Sequence, residues 1–184
     1  GTQTVLEQLP MALIDKGVVF SDFYTALEEI PEVIEAHFGQ ALAFDEDKLA
    51  AYHTAYFNSA AVLYVPDHLE ITTPIEAIFL QDSDSDVPFN KHVLVIAGKE
   101  SKFTYLERFE SIGNATQKIS ANISVEVIAQ AGSQIKFSAI DRLGPSVTTY
   151  ISRRGRLEKD ANIDWALAVM NEGNVIADFD SDLI

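Results

Sequence analysis

The chain has 184 residues, 28 acidic and 13 basic, which gives a formal net charge of −15; 47% of its residues are hydrophobic. That is globular composition, so disorder is excluded as a description of the whole chain, and the acidic balance argues against nucleic-acid binding and docking on anionic membranes. There is no cysteine, which excludes disulfides, thiolate-ligated clusters and a cysteine nucleophile within this chain. The longest wholly apolar run, Ala60 to Val65, is far short of the ~20 residues that span a bilayer. No basic stretch precedes an apolar one near the N-terminus, so no signal peptide is expected. A soluble, cytoplasmic and non-catalytic protein is expected.

Residues 1–60 read as a small helical segment, with ten acids against Lys16 and Lys48. Gly17-Val18-Val19-Phe20 is short, apolar and β-branched, and is read as a single strand. Ser21 or Asp22 can cap a helix whose apolar face runs through Phe23, Ala26, Leu27 and Ile30. Pro31 suits the first turn of the next helix, which carries Val33, Ile34 and Phe38 and is stopped by Gly39. A third helix is predicted from Asp47 through Tyr56, with Leu49, Tyr52, His53 and Tyr56 on one side.

From residue 61 to 184 the period changes to two. Ile123, Val125 and Val127 alternate with Ser124 and Glu126, and Ile135, Phe137 and Ala139 repeat the pattern. Phe103 and Tyr105 are placed inward with them. No long helical pattern separates these strands, so βαβ winding does not fit. Self-comparison aligns Ala97-Gly98, Lys102-Phe103 and Glu107-Arg108 on Ala131-Gly132, Lys136-Phe137 and Asp141-Arg142. A weaker match, of a kind that shared composition alone can produce, pairs Ala121-Asn122-Ile123 with Ala161-Asn162-Ile163. Repeats built of strands and tight corners bury their apolar faces only by stacking. The expected fold is therefore mainly β, a right-handed β-helix with a small N-terminal helical segment; a β-sandwich is the alternative.

A family resemblance enters with Lys16-Gly17-Val18-Val19-Phe20-Ser21-Asp22, Ala26-Leu27, Pro31-Glu32-Val33-Ile34 and His37-Phe38-Gly39. It resumes from Ala51 through Pro66, where Leu63-Tyr64-Val65-Pro66 is its most specific part, and again at Thr149–Gly155. This succession resembles the SufB/SufD family of iron–sulfur cluster assembly proteins, and the lack of cysteine favours the SufD branch. Asn58-Ser59-Ala60-Ala61 departs from the commoner pattern, which places a Gly there. The resemblance implies a cytoplasmic, non-enzymatic scaffold that pairs with a SufB-like paralogue and is driven by a SufC-like ATPase. It also implies that the histidine and cysteine residues tied to cluster assembly lie in a later part of the family pattern. No catalytic, cofactor-binding or metal-binding residue is carried over, and no cofactor is expected in this part of the family pattern. The chain is expected to be a fragment whose residues 172–184 leave a coil uncovered and promote self-association.

Local constellations are read plainly. Asp82, Asp84 and Asp86 have the alternation of a calcium loop but lack its Gly and later Glu, so a solvated hairpin tip is expected. Arg153-Arg154-Gly155-Arg156 could clamp a phosphate or a partner carboxylate, but is read as a solvent-facing corner balanced by Glu158 and Asp160. His37, His53, His68 and His92 show no ligand spacing; His53 is read as a packed core histidine, and no clustering of histidines is expected. Trp165 is assigned to the core, and no Walker-type loop is present. The competing function is a polysaccharide-active β-helix protein with Glu107 and Asp141 paired on an exposed face for acid–base work.

Overall fold

The computed structural model describes residues 9–114 and 116–184. Helix α1 (Met11–Ile14) leads through Gly17, at φ +82°, into strand β1 (Val19–Asp22). The Asp22 carboxylate accepts from the Tyr24 and Thr25 amides at the start of α2 (Phe23–Glu29). Pro31 opens α3 (Pro31–His37), and Asp47 caps α4 (Lys48–Tyr56) through the Leu49 and Ala50 amides. The starts expected at Asp22 and Pro31 hold, but one helix face does not. In α4 the buried residues are Ala50 and His53, whereas Tyr52 and Tyr56 are exposed.

Nine strands follow. They are β2 (Ser59–Val65), β3 (Ile75–Asp82), β4 (Phe89–Ala97), β5 (Lys102–Ile112), β6 (Ile119–Ala129), β7 (Gln134–Arg142), β8 (Val147–Leu157), β9 (Asn162–Val169) and β10 (Val175–Leu183). Successive strands alternate between two sheets. Sheet A runs β1-β2-β4-β6-β8-β10 and sheet B runs β3-β5-β7-β9, with every pair parallel except antiparallel β1–β2. This is a β-solenoid of about four turns. A strand pair of one coil cannot cover its own apolar face, so each coil is completed by the next.

The core lies between the sheets. Ile123, Val125, Val127, Ile135, Phe137, Ala139, Phe103 and Tyr105 all sit in it, as the alternation predicts. Leu9 and Leu13 pack against the same core from the N-terminal side. A second apolar cluster joins Ala26 and Ile34 of the helices to Val62, Leu94, Ile96 and Ile128 on the outer face of sheet A. The helical segment is thus a cover for one sheet. At the other end of the stack, β10 leaves Ile176, Phe179 and Leu183 exposed.

The repeat exists, but its register differs from the self-comparison. Tyr105 stacks on Phe137 and Glu107 on Ala139, two residues away from the alignment that placed Glu107 on Asp141. The cause lies in the corners. His68, Glu100, Gly132 and Asp160 have φ of +59°, +55°, +71° and +59°, and the strand registers bring these four into one column. The structural equivalent of Gly132 is therefore Glu100, not Gly98. The second match dissolves entirely, because β6 belongs to sheet A and β9 to sheet B. The segment Asp82–Asp86 is a corner between sheets, not a hairpin tip, with Asp82, Asp84 and Asp86 exposed there.

Candidate functional site

Strict alternation in β5, β7 and β8 brings three charged side chains into the solenoid interior. Glu107 follows Phe103 and Tyr105 in inward phase, Asp141 follows Phe137 and Ala139, and Arg153 follows Thr149 and Ile151. All three are buried, at 1%, 0% and 0% exposure. Arg153 Nε and Nη2 donate to Glu107 Oε1 at 2.9 and 2.8 Å. Its Nη1 and Nη2 donate to Asp141 Oδ2 and Oδ1 at 2.8 and 2.7 Å, a bidentate fork. The Tyr105 hydroxyl lies 3.4 Å from Glu107 Oε2. On the far side, the Phe179 ring centroid is 5.5 Å from Arg153 Cζ, and a cavity of ≈ 310 Å³ opens between Arg153, Trp165, Phe179 and Ser181.

One cation faces two carboxylates, and the balance is uneven. Burial pushes the Glu107 carboxyl up to about 6, with the Asp141 charge adding to it and Arg153 opposing. Burial disfavours the Arg153 charge, yet Glu107 and Asp141 outweigh it and hold the guanidinium protonated. Burial and the Glu107 charge push the Tyr105 phenol well above its usual range, so it stays a donor.

The second polar group lies between sheet A and the helical cover. His53 of α4 directs Nδ1 at Asn122 Oδ1 and Nε2 at His92 Nδ1, each at 3.1 Å. His92 Nε2 is 3.1 Å from Glu126 Oε1, close enough for an ion pair but off the line of a hydrogen bond. Glu126 also accepts the backbone N–H groups of Gly39, Ala41 and Leu42 at 2.9, 2.8 and 3.1 Å. Burial alone would raise the Glu126 carboxyl; the His92 contact and the amide donors outweigh it and hold it below the ordinary value. Burial and the neighbouring His92 lower His53 to about 3. Next to His92 on β4, Lys91 points inward, donates to Ser59 Oγ at 2.6 Å and lies 4.6 Å above the Phe79 ring. Its removal from water lowers the amine to about 8.

Three readings from sequence change here. Arg153–Arg156 is not a corner: it lies within β8, with Arg153 interred and Arg154 bridging Glu46 and Asp178 at 2.6 and 2.7 Å. Glu107 and Asp141 are not an exposed acid–base pair, because both are sealed under Arg153. The histidines do cluster: His53 is buried as expected, but it meets His92, which is 39 residues away and carried no local signal. Trp165 packs partly buried, 4.7 Å from the Phe137 ring, and donates to Ser181. Among the described residues, no group of three or more His, Asp or Glu side chains is arranged to hold a metal ion, and no helix is long and apolar enough to cross a membrane.

The model of the SufBD protein N-terminal region matches residues 3–77, and the model of the SUF system FeS cluster assembly SufBD core domain matches residues 79–184. The chain belongs to the SufB/SufD family. Its N-terminal match carries the helices, β1 and β2, and its core match begins within β3 and covers most of the solenoid. The chain is 38% identical, over 172 residues, to the iron-sulfur cluster assembly protein SufD of Bacillus subtilis, covering 92% of this chain and 39% of that protein. It is 23% identical over 164 residues to SufBD family proteins of Staphylococcus saprophyticus and Staphylococcus haemolyticus, covering 89% of this chain and 35% of each. The chain thus spans little more than a third of the length of these relatives.

Proposed function

We propose that the protein is a SufD-like, non-catalytic scaffold subunit of a cytoplasmic iron–sulfur cluster assembly complex, paired with a SufB-like paralogue and driven by a SufC-like ATPase. The observation that carries this reading is the pair of family matches laid end to end along the chain, together with the identity to Bacillus subtilis SufD. The rigid parallel stack suits a scaffold, because partners docked at different coils keep a fixed spacing. The enzymatic alternative loses its carboxylate pair, since Glu107 and Asp141 are buried inside the core and both are bound by Arg153. In this reading the cluster is cargo built by the complex, and this chain contributes shape and surface.

The test is affinity purification of the tagged protein from its own cells at native expression, followed by mass spectrometry. SufB-like and SufC-like proteins are expected in stoichiometric yield. Recovery of the protein free of both would overturn the proposal.

A further inference from the structure

The two sheets differ in what lies over them. Sheet A carries the helical cover, and residues 17–47, which supply most of it, hold eight acids and no lysine or arginine. Sheet B has no such cover among the described residues: Ile78, Leu80 and Ile140 of its outer face are 49%, 47% and 37% exposed. The charge differs as well. Glu76, Asp82, Glu110 and Asp164 alternate outward from sheet B. So do Lys102, Arg108, Lys136 and Arg142. Four acids against four bases leave this face neutral on a chain of net charge −15. A second copy approaching the acidic cover is repelled, whereas one approaching sheet B is not.

The relief of that face is lopsided. The registers place Glu76, Leu106, Ser138 and Ala166 in one row and Ile78, Arg108, Ile140 and Ala168 in the next. Large side chains therefore stand on β3 and β5, while β7 and β9 carry Ser138, Ala166 and Ala168 beside Ile140. A hollow of ≈ 510 Å³ lies over these small residues, walled by Leu106 and Arg108.

We propose that the outer face of sheet B is the interface of a homodimer, with its two-fold axis parallel to the strands and midway between β5 and β7. That rotation sets β3 of each copy against β9 of the other, and β5 against β7, with each row at its own level. Ile78 then meets Ala168 of the second copy and Leu106 meets Ser138, so each ridge enters the other copy's hollow. The Arg108 guanidinium stays with Glu76 at 3.0 Å, and its stem covers Ile140 of the second copy. Glu110 faces Arg142 of the second copy. Within one chain these two are already register neighbours, so the copies close an alternating square of charge around the axis. An axis across the strands would instead lay β3 on β3, ridge against ridge. A two-fold contact must be self-complementary, and only the axis along the strands makes it so.

Four strands paired over at least eight residues span roughly 19 by 26 Å, so the pair buries about 1,000 Å². That is the small end of specific interfaces, so the dimer is expected to be micromolar rather than nanomolar. The inference concerns the protein by itself and stands or falls separately from the assembly complex proposed above.

Sedimentation equilibrium of the purified protein across a dilution series tests it. A monomer–dimer equilibrium is expected, weakened roughly tenfold or more by Ala168→Arg, which fills the hollow with charge. If that variant does not fold, Ser138→Arg serves instead. Glu110→Arg and Arg142→Glu should each weaken self-association by a similar factor, and mixing these two variants should restore a dimer, because only the mixed pair sets arginines against glutamates across the axis. A protein that stays monomeric at the highest concentration would overturn the proposal. So would a dimer indifferent to the hollow-filling substitution, as association through the exposed β10 would be, or a mixture that associates no better than either variant alone.

Discussion

Removal of Arg153 is the sharpest test of the solenoid interior. Arg153→Met keeps most of the side-chain volume but strands Glu107 and Asp141, both buried, without a counter-charge. Breaking a buried ion pair by deleting one partner costs ~3–5 kcal/mol, a large part of the total stability of a domain. The loss has a pH signature. Without the guanidinium the Glu107 carboxyl is pushed further up, so the variant regains stability as the pH falls and it takes a proton. Wild type should carry a weaker form of the same dependence. Glu107 rises from 4.5 unfolded to about 6 folded, so its contribution is fully present below 4.5 and disappears as pH climbs through 6. The gap between those two values sets a ceiling of ~2 kcal/mol. Glu107→Gln should remove this slope.

Urea unfolding followed by Trp165 fluorescence, at pH 7 and pH 5, measures all of this. Arg153→Met should lose ~3–5 kcal/mol at pH 7 and less at pH 5. The triple variant Glu107→Leu, Asp141→Leu, Arg153→Met should return to within ~1 kcal/mol of wild type, because apolar packing replaces the pair at no charge penalty. A loss below ~1 kcal/mol for Arg153→Met at pH 7 would refute the buried clamp, as would a larger loss at pH 5.

Three further substitutions probe the stack by the same unfolding assay. Phe137 lies between the Tyr105 and Trp165 rings, so Phe137→Ala should cost ~3–5 kcal/mol, and a loss below ~1 kcal/mol would place it outside the core. In the corner column, Gly132→Ala should cost ~1–2 kcal/mol, since the position is left-handed and a Cβ would meet Glu100 Cγ at 3.1 Å. Asp160→Gly, at the equivalent corner, should be neutral or stabilising by up to ~1 kcal/mol, and a clear loss there would show that the column is not held by a shared backbone conformation.

Much of this architecture is legible in the sequence because its signals are local. Asp22 and Pro31 mark helix starts by their own chemistry, and Ile123-Val125-Val127 declares a buried face within five residues. Register is not local. Phe89 stacks on Ala121 thirty-two residues later, but Ile119 stacks on Val147 after twenty-eight, so no single period aligns the coils. A glycine at position 98 then mimics the corner glycine at 132, although the true equivalent, Glu100, takes the same left-handed conformation without being glycine. The His53–His92 contact had no sequence signal, since α4 and β4 meet only when the cover folds onto sheet A.

The interior charges are a different case, because their signal was present. Reading polar residues as outward misplaces Arg153, which shares phase with Val147, Thr149 and Ile151, and equally Glu107 with Tyr105 and Asp141 with Phe137. Phase therefore outranks polarity in a stacked coil. A charge at an inward position cannot turn outward without carrying every neighbour on its strand to the wrong face. It must find its counter-charge inside, and two acids on sheet B opposite one arginine on sheet A supply it. With two acids to one base, burial drives the Glu107 carboxyl toward its neutral form.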